Sequence, residues 1–384
     1  MAKRPPRKTG RTCNVGFIGC GALMNNQHIQ NAHNSEVCVV HTLCDIKEEA
    51  LKSTAAKFPP LRTTKDYREM LADDEIQLVV VAMRPEMQAR LSIEALRAGK
   101  NVYCEKPLGE TVEEALAVAR AAREAKRHVA VGFNRRFAPA YADLKPRLAG
   151  REGAPLMYYR IADHERGGRE NTPRMIDELC HIYDILSWLT DSEPRLVYAT
   201  ELSHHNDNVM TITFADGSVG AIISSGRASL ENPKERLEVF WDHKAVFVED
   251  FIEARYFHIP GAERVRRYAG RKDIHTPPAL SRSFATPKGL DASLDAKKRF
   301  SDEWEKMEAG KRYNEKLTKI PVNYVMNKGW GLALDEMALA TIEGRKPRNA
   351  TASDGARANV VALAGVRSVK EGAPVRISPS EWGA

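Results

Sequence analysis

Three short segments of the chain carry side chains whose types and spacing suit chemistry. Gly19-Cys20-Gly21-Ala22-Leu23-Met24 follows the apolar run Cys13 to Gly19 and opens a helix-like stretch reaching His33. A first glycine there makes a tight turn, and a second lets the backbone around Gly21, Ala22 and Leu23 approach a pyrophosphate at a helix N-terminus. Asp45 ends the next apolar run, 24 residues after Gly21. A carboxylate in that place accepts from both ribose hydroxyls of an adenosine and repels a 2′-phosphate, which favours NAD(H) over NADP(H). The plainer alternative is a strand-to-helix turn with Asp45 as a helix N-cap.

Glu105-Lys106-Pro107 closes a further strand-like segment. The carboxyl end of a parallel strand is where α/β sheets place ligands, and an ammonium there can donate to a substrate oxygen. A surface ion pair after a strand is the other reading. In the third segment, Asp177, His181 and Asp184 are spaced by four and three residues on a helix and so share a face. A histidine between two carboxylates suits a general acid/base. The same spacing also suits a metal ion or a structural polar cluster.

Hydrophobic periodicity indicates the elements that position these groups. Strands are predicted at Cys13 to Gly19, Val37 to Asp45, Ile76 to Met83, Asn101 to Cys104 and His128 to Phe133, with helices between them, including one opened by Arg84-Pro85 and one over Thr111 to Lys126. Strands fed by helices of that length imply right-handed crossovers and a parallel sheet covered on both faces. After Met175 to Leu189, read as one helix, the period changes to two. Val209 to Phe214 turns at Asp216-Gly217 into Val219 to Ile223, and Leu237 to Trp241 turns at Asp242-His243-Lys244 into Ala245 to Phe251. Residues 255–319 read as a charged excursion with one helix near Leu294 to Ala309. A last helix at Trp330 to Ile342 and a strand near Val375 to Ile377 follow.

In this order the segments resemble the Gfo/Idh/MocA family of glucose-fructose oxidoreductases, inositol dehydrogenases and their relatives. The resemblance is carried by the glycine turn, Asp45, AGKNVYCEKPLG at 98–109, VGFNRRF at 131–137, the Asp177/His181/Asp184 helix, FADGSVG at 214–220 and the tail at 343–377. It implies an α/β architecture: an N-terminal doubly wound Rossmann domain over 13–137, binding NAD, and a C-terminal α/β domain over 138–384 with a large open, mostly antiparallel sheet. Substrate would lie on one face of that sheet and a partner in a homo-oligomer, dimer or tetramer, on the other. Lys106 resembles the family's active-site lysine, Asp177 its substrate-orienting carboxylate and His181 its acid/base, with Arg135 and Arg174 beside them as substrate contacts. Pro107 resembles the proline preceded by a cis bond. The implied activity is NAD-dependent oxidation of a secondary alcohol of a sugar, cyclitol or sugar derivative. The alternative is redox-neutral glycoside hydrolysis by transient oxidation, elimination, water addition and re-reduction, on an anionic sugar in one version.

Several positions depart from the family pattern. Met24 stands where a small residue is usual, and Met83-Arg84-Pro85-Glu86-Met87-Gln88 replaces a segment with a histidine contact to the cofactor, leaving Arg84 or Gln88 for that role beside Glu105. The loop before the catalytic helix gathers Arg160, His164, Arg166, Arg169 and Arg174. These suit an anionic substrate group or pairing with Asp163, Glu165 and Glu170.

Charge and composition exclude other classes. Of the net charge of +7, five units sit in the first eleven residues, so the remaining chain is close to neutral and lacks an electrostatic footprint for nucleic acid. Residues 1–12 read as a basic disordered tail. No apolar run reaches the ~20 residues of a membrane span, and six cysteines without a CxxC pair read as reduced core residues of a cytoplasmic protein.

Overall fold

Apolar runs in the first part of the chain become strands buried on both faces. They are β1 (Cys13–Ile18), β2 (Cys38–Cys44), β3 (Arg62–Thr64), β4 (Leu78–Val81), β5 (Asn101–Cys104) and β6 (Val129–Val131). All pair in parallel, in the order β3-β2-β1-β4-β5-β6. This is the doubly wound Rossmann order, with its topological switch between β1 and β4. The structure, a computed structural model, describes residues 10–162, 174–202, 207–229, 231–270, 294–295, 297–298 and 326–383.

Local signals set the helices. Residues Met24–Ile29 form a π-helix that runs into α1 (Gln30–Asn34), and α2 (Glu48–Lys57) and α3 (Tyr67–Leu71) flank β3. α4 (Pro85–Arg97) has proline in its first turn, where a missing N–H costs nothing. α5 (Val112–Ala125) starts on a capping box made by Thr111 and Glu114. The short polar strand β3 and helix α3 are absent from the sequence reading, because neither shows an apolar period.

Two compact units result. The first gathers the described residues up to Asn134, then Gly329–Asn359 and those from Ser380 on; the second gathers those from Arg135 to Lys328 with Val360–Pro379. A sequential division at 137/138 does not anticipate this return. Its physical basis in the first unit is α9 (Trp330–Glu343), which docks on α1: Ser35 Oγ donates to Asp335 at 2.6 Å, and a Cβ at Gly331 would lie 3.2 Å from the Asn31 side chain.

In the second unit nine strands form one mixed sheet. α6 (Pro139–Leu144) precedes β7 (Leu156–Ala162), and α7 (Arg174–Asp177) and α8 (Cys180–Thr190) precede β8 (Pro194–Glu201). β9 (Asn208–Phe214), β10 (Val219–Ser225), β11 (Glu235–Trp241), β12 (Lys244–Glu249), β13 (Glu253–Phe257) and β14 (Val265–Arg267) follow. After α10 (Ala352–Glu371), β15 (Val375–Arg376) completes the order β14-β13-β12-β11-β7-β10-β9-β8-β15, antiparallel except for β7 with β10. Both expected hairpins form. Gly217 takes φ +87 at one turn, and Asp242 and His243 take φ +45 and +60 at the other.

One face of this sheet is covered, with Met157, Tyr159, Ile161, Met210, Ile212 and Val239 fully buried. Gly220 permits the close approach of α8, since a Cβ there would stand 2.7 Å from Leu186 Cδ1. The other face is open in this chain and exposes Leu156, Tyr198, Val209, Ile223 and Phe240.

Three expectations are corrected. The start of the supposed excursion is ordered as β13 and β14; most of the rest, including most of the helix expected near Leu294 to Ala309, lies outside the described residues, as does most of the basic tail. α10, twenty residues long, was not anticipated as a helix of its own. The single helix expected over Met175 to Leu189 is two, α7 and α8, joined by a turn at Glu178-Leu179.

Candidate active site

At the switch point of the first unit, Gly19 takes φ +91, a left-handed conformation that side chains resist, and a Cβ there would lie 2.7 Å from Met83 Sδ after β4. Gly21 and Ala22 are exposed, and a Cβ at Gly21 would meet nothing within 4 Å, so a ligand can reach this backbone. Asp45 is fixed from two sides: Oδ2 accepts the Cys20 N–H at 2.7 Å and Oδ1 the Lys47 N–H at 2.8 Å. Each oxygen keeps a lone pair for a ribose hydroxyl. These features fit a dinucleotide. Met24, the departure from the pattern, is fully buried at the start of the π-helix, where it takes no surface from the turn.

Lys106 stands half-buried just beyond β5, on a cis bond to Pro107. Its turn is held from three directions. The buried Glu105 carboxylate accepts the Lys106 N–H at 3.1 Å and meets Nε2 of fully buried His28 at 2.9 Å. Gln88 donates to the Pro107 carbonyl at 2.6 Å and faces the Cys104 thiol at 3.7 Å. Gln88 is thus engaged within the turn, and Arg84 is exposed and paired with Glu86 at 3.1 Å.

His28 was missed by sequence reasoning, since nothing in its spacing ties it to a residue 77 positions away. Gly132 lies in the VGFNRRF segment, where spacing alone gives it no role. A Cβ on Gly132 would lie 2.8–2.9 Å from the Glu105 carboxyl atoms. Gly132→Ala must therefore push Glu105 off His28 and off the Lys106 amide. Turnover is expected to fall roughly 10- to 100-fold, as for a small misplacement of a catalytic group; steady-state kinetics beside a circular dichroism spectrum checks this.

In the second unit α8 is buried nearly all round, so His181 is presented from a rigid element and is itself 8 % exposed. Asp177 ends α7 and is exposed. Asp184, expected on the same face as a further functional carboxylate, is instead buried and clasped by Arg136, whose Nε donates to it at 2.9 Å. Asp184 therefore serves a structural ion pair. Among the described residues, the trio of possible ligands that does converge is His41, Asp73 and Glu75, and Arg62 already holds Asp73 at 2.8 Å.

Two expected substrate contacts are also placed differently. Arg135 is buried and makes a two-pronged contact to Glu235, at 2.7 and 2.8 Å, while Lys328 and Tyr159 reach the same carboxylate at 2.7 Å. Burial by itself raises the Glu235 carboxyl, but Arg135 and Lys328 outweigh it and hold it well below the usual carboxylate range. Burial likewise lowers Lys328 to about 8 against the pull of Glu235. Arg135 thus supports the core. Arg174 is buried and pairs with Glu178 at 2.8 Å, and Glu178 also takes Lys234 at 2.5 Å. Arg160 lies on the open face of the sheet, 3.0 Å from Glu249. His164, Arg166 and Arg169 lie outside the described residues.

Residues 13–133 match the family described as "Oxidoreductase family, NAD-binding Rossmann fold" (GFO_IDH_MocA). Inositol 2-dehydrogenase 2 of Saccharopolyspora erythraea is 29% identical over 382 residues, covering 96% of this chain and 97% of its own length. Inositol 2-dehydrogenase of Acidothermus cellulolyticus is 33% identical over 201 residues, 50% of this chain and 57% of its own length. In structure, myo-inositol dehydrogenase from Lactobacillus casei, solved with NAD(H) and myo-inositol, superposes with a TM-score of 0.70 over 96% of this chain and 97% of that one, at 20% identity. The turn at Gly19, the fixed Asp45 and the strand order agree with that family description over residues 13–133, the stretch in which this chain is similar to the NAD-binding Rossmann fold of the Gfo/Idh/MocA oxidoreductases.

Proposed function

We propose that the protein is an NAD-dependent dehydrogenase acting on a secondary alcohol of a sugar, cyclitol or sugar derivative. The observation that carries this reading is Lys106, displayed beyond the carboxyl end of a parallel strand next to the switch point and braced there by Glu105, His28 and Gln88. The names of the similar proteins, inositol dehydrogenases among them, supply the substrate class. The first unit would bind the cofactor through Gly19, Gly21, Ala22, Leu23 and Asp45, and the second would bind the substrate.

Bound NAD+ would supply the hydride acceptor. His181 takes the proton of the substrate hydroxyl, Lys106 donates to that oxygen as charge develops on it, and Asp177 orients the neighbouring hydroxyls. The fixed Asp45 carboxylate supports NAD over NADP. The open sheet face with its exposed apolar side chains supports a homo-oligomer. Six free, buried cysteines suit the reducing cytoplasm, and no helix among the described residues is long and apolar enough to cross a membrane.

The test is a panel of polyols, sugars and aryl glycosides with the purified protein and either NAD+ or NADP+. NADH formed in step with polyol consumption is expected. Release of aglycone with no net NADH would instead establish the redox-neutral glycosidase.

A further inference from the structure

The covered face of the nine-stranded sheet is apolar along most of its length and changes character in its last row. In register across β9, β10, β7 and β11 that row reads Asn208, Ser224, Ile161 and Glu235. All four are buried, at 4 % exposure or less. Glu235 is answered by Arg135, Lys328 and Tyr159. At the other end of the row, Oδ1 and Nδ2 of Asn208 and Oγ of Ser224 are buried with no hydrogen bond from any described residue. Residues directly opposite in an antiparallel pair stand about 5 Å apart at Cβ, so these atoms form one patch.

An unanswered buried amide or hydroxyl costs about 1–3 kcal/mol. An apolar pair would avoid that cost, as Met210 and Ile222 do in the neighbouring row. The patch is uncharged and offers amide donors, a carbonyl acceptor and a hydroxyl that serves as either. That set complements neighbouring hydroxyl groups and gives a carboxylate or phosphate no counter-charge. Its position is also apt. A Cβ on Gly365 of α10 would run into the Met210 methyl and lie 3.1 Å from Met175 Sδ, so Met175 of α7 and Met210 crowd the same spot. This brings Met210, in the row next to the patch, beside the short helix that ends in Asp177.

We propose that Asn208 and Ser224 form a hydroxyl-recognising subsite that holds part of the polyol substrate away from its reacting carbon. The proposal rests on the dehydrogenase reading above. It is tested with the full chain, saturating NAD+, and myo-inositol, levoglucosan and their monodeoxy analogues, comparing wild type with Asn208→Leu and Ser224→Ala.

Each variant is expected to raise KM for the parent polyol roughly two- to tenfold, the effect of one lost hydrogen bond. The affinity for NAD+ should be unchanged, and Tm equal or higher, because an unanswered polar group has been removed. KM for the analogue lacking the recognised hydroxyl should be the same in variant and wild type. Unchanged KM for the parent polyol overturns the subsite while leaving the dehydrogenase reading intact. A lowered Tm with unchanged KM overturns it too, assigning the two side chains to a sealed structural water. If Asn208→Leu does not fold, Ser224→Ala alone decides. A wild type that neither binds nor oxidises any polyol overturns both readings.

Discussion

Lys106→Ala and His181→Ala are each expected to lower kcat about 10²- to 10⁴-fold, the range for a positioned acid/base or a donor to developing charge. NAD+ affinity should stay within a few-fold of wild type in both. The cofactor contacts proposed for Gly19, Gly21, Ala22 and Asp45 do not pass through either side chain, whereas on the proposed mechanism Lys106 would act on the substrate oxygen and His181 on its proton. On the proposed mechanism both would serve the same proton transfer, so the two losses should also be far from additive. Steady-state kinetics with an independent titration of NAD+ binding checks both points. Near-normal turnover in either variant removes that residue from its role.

The largest expected effect on stability is at Glu235. Glu235→Leu removes the buried carboxylate that Arg135, Lys328 and Tyr159 share. Removing one member of a buried ion cluster costs about 3–5 kcal/mol. With Glu235 gone, Lys328 loses the charge that opposes its burial, so its ammonium, already lowered to about 8, should deprotonate more readily still. Denaturant unfolding should show the loss. A triple replacement of Arg135, Glu235 and Lys328 by Met, Leu and Met should recover most of it, because no uncompensated charge then remains. If the triple variant is as unstable as Glu235→Leu, the cost lies in packing and not in charge.

How far the fold could be read from the chain depended on the kind of signal. LVVV in β4 and the capping box of α5 are local and strong, and both elements lie within a residue or two of their expected bounds. The turns at Asp216-Gly217 and Asp242-His243 likewise announced their hairpins. β13 and β14 were hidden because this end of the sheet carries charges, Arg255 on β13 and Arg266 and Arg267 on the edge strand β14, which blunt the pattern. α10 was hidden by Gly355 and Gly365, which look like helix breakers; a Cβ at Gly355 would lie 3.1 Å from Leu108, so that glycine serves close packing.

The candidate site was legible where chemistry sits in one segment, as in Glu105-Lys106-Pro107. It was misread where the partner is remote. Arg135 meets Glu235 across 100 residues and Arg136 meets Asp184 across 48. Arg135 was expected at the substrate, and only the folded chain reveals that its charge, like that of its neighbour Arg136, is matched within the protein.

The central claim, transfer of hydride from a polyol carbon to NAD+, is tested most directly by isotope. The polyol that the protein oxidises fastest is supplied with deuterium on its carbinol carbons, and the reduced nicotinamide is recovered. One deuterium per NADH formed, with the matching ketone as product, is the predicted result. Aglycone released from an aryl glycoside with no net NADH, and no deuterium in the recovered nicotinamide, would contradict it.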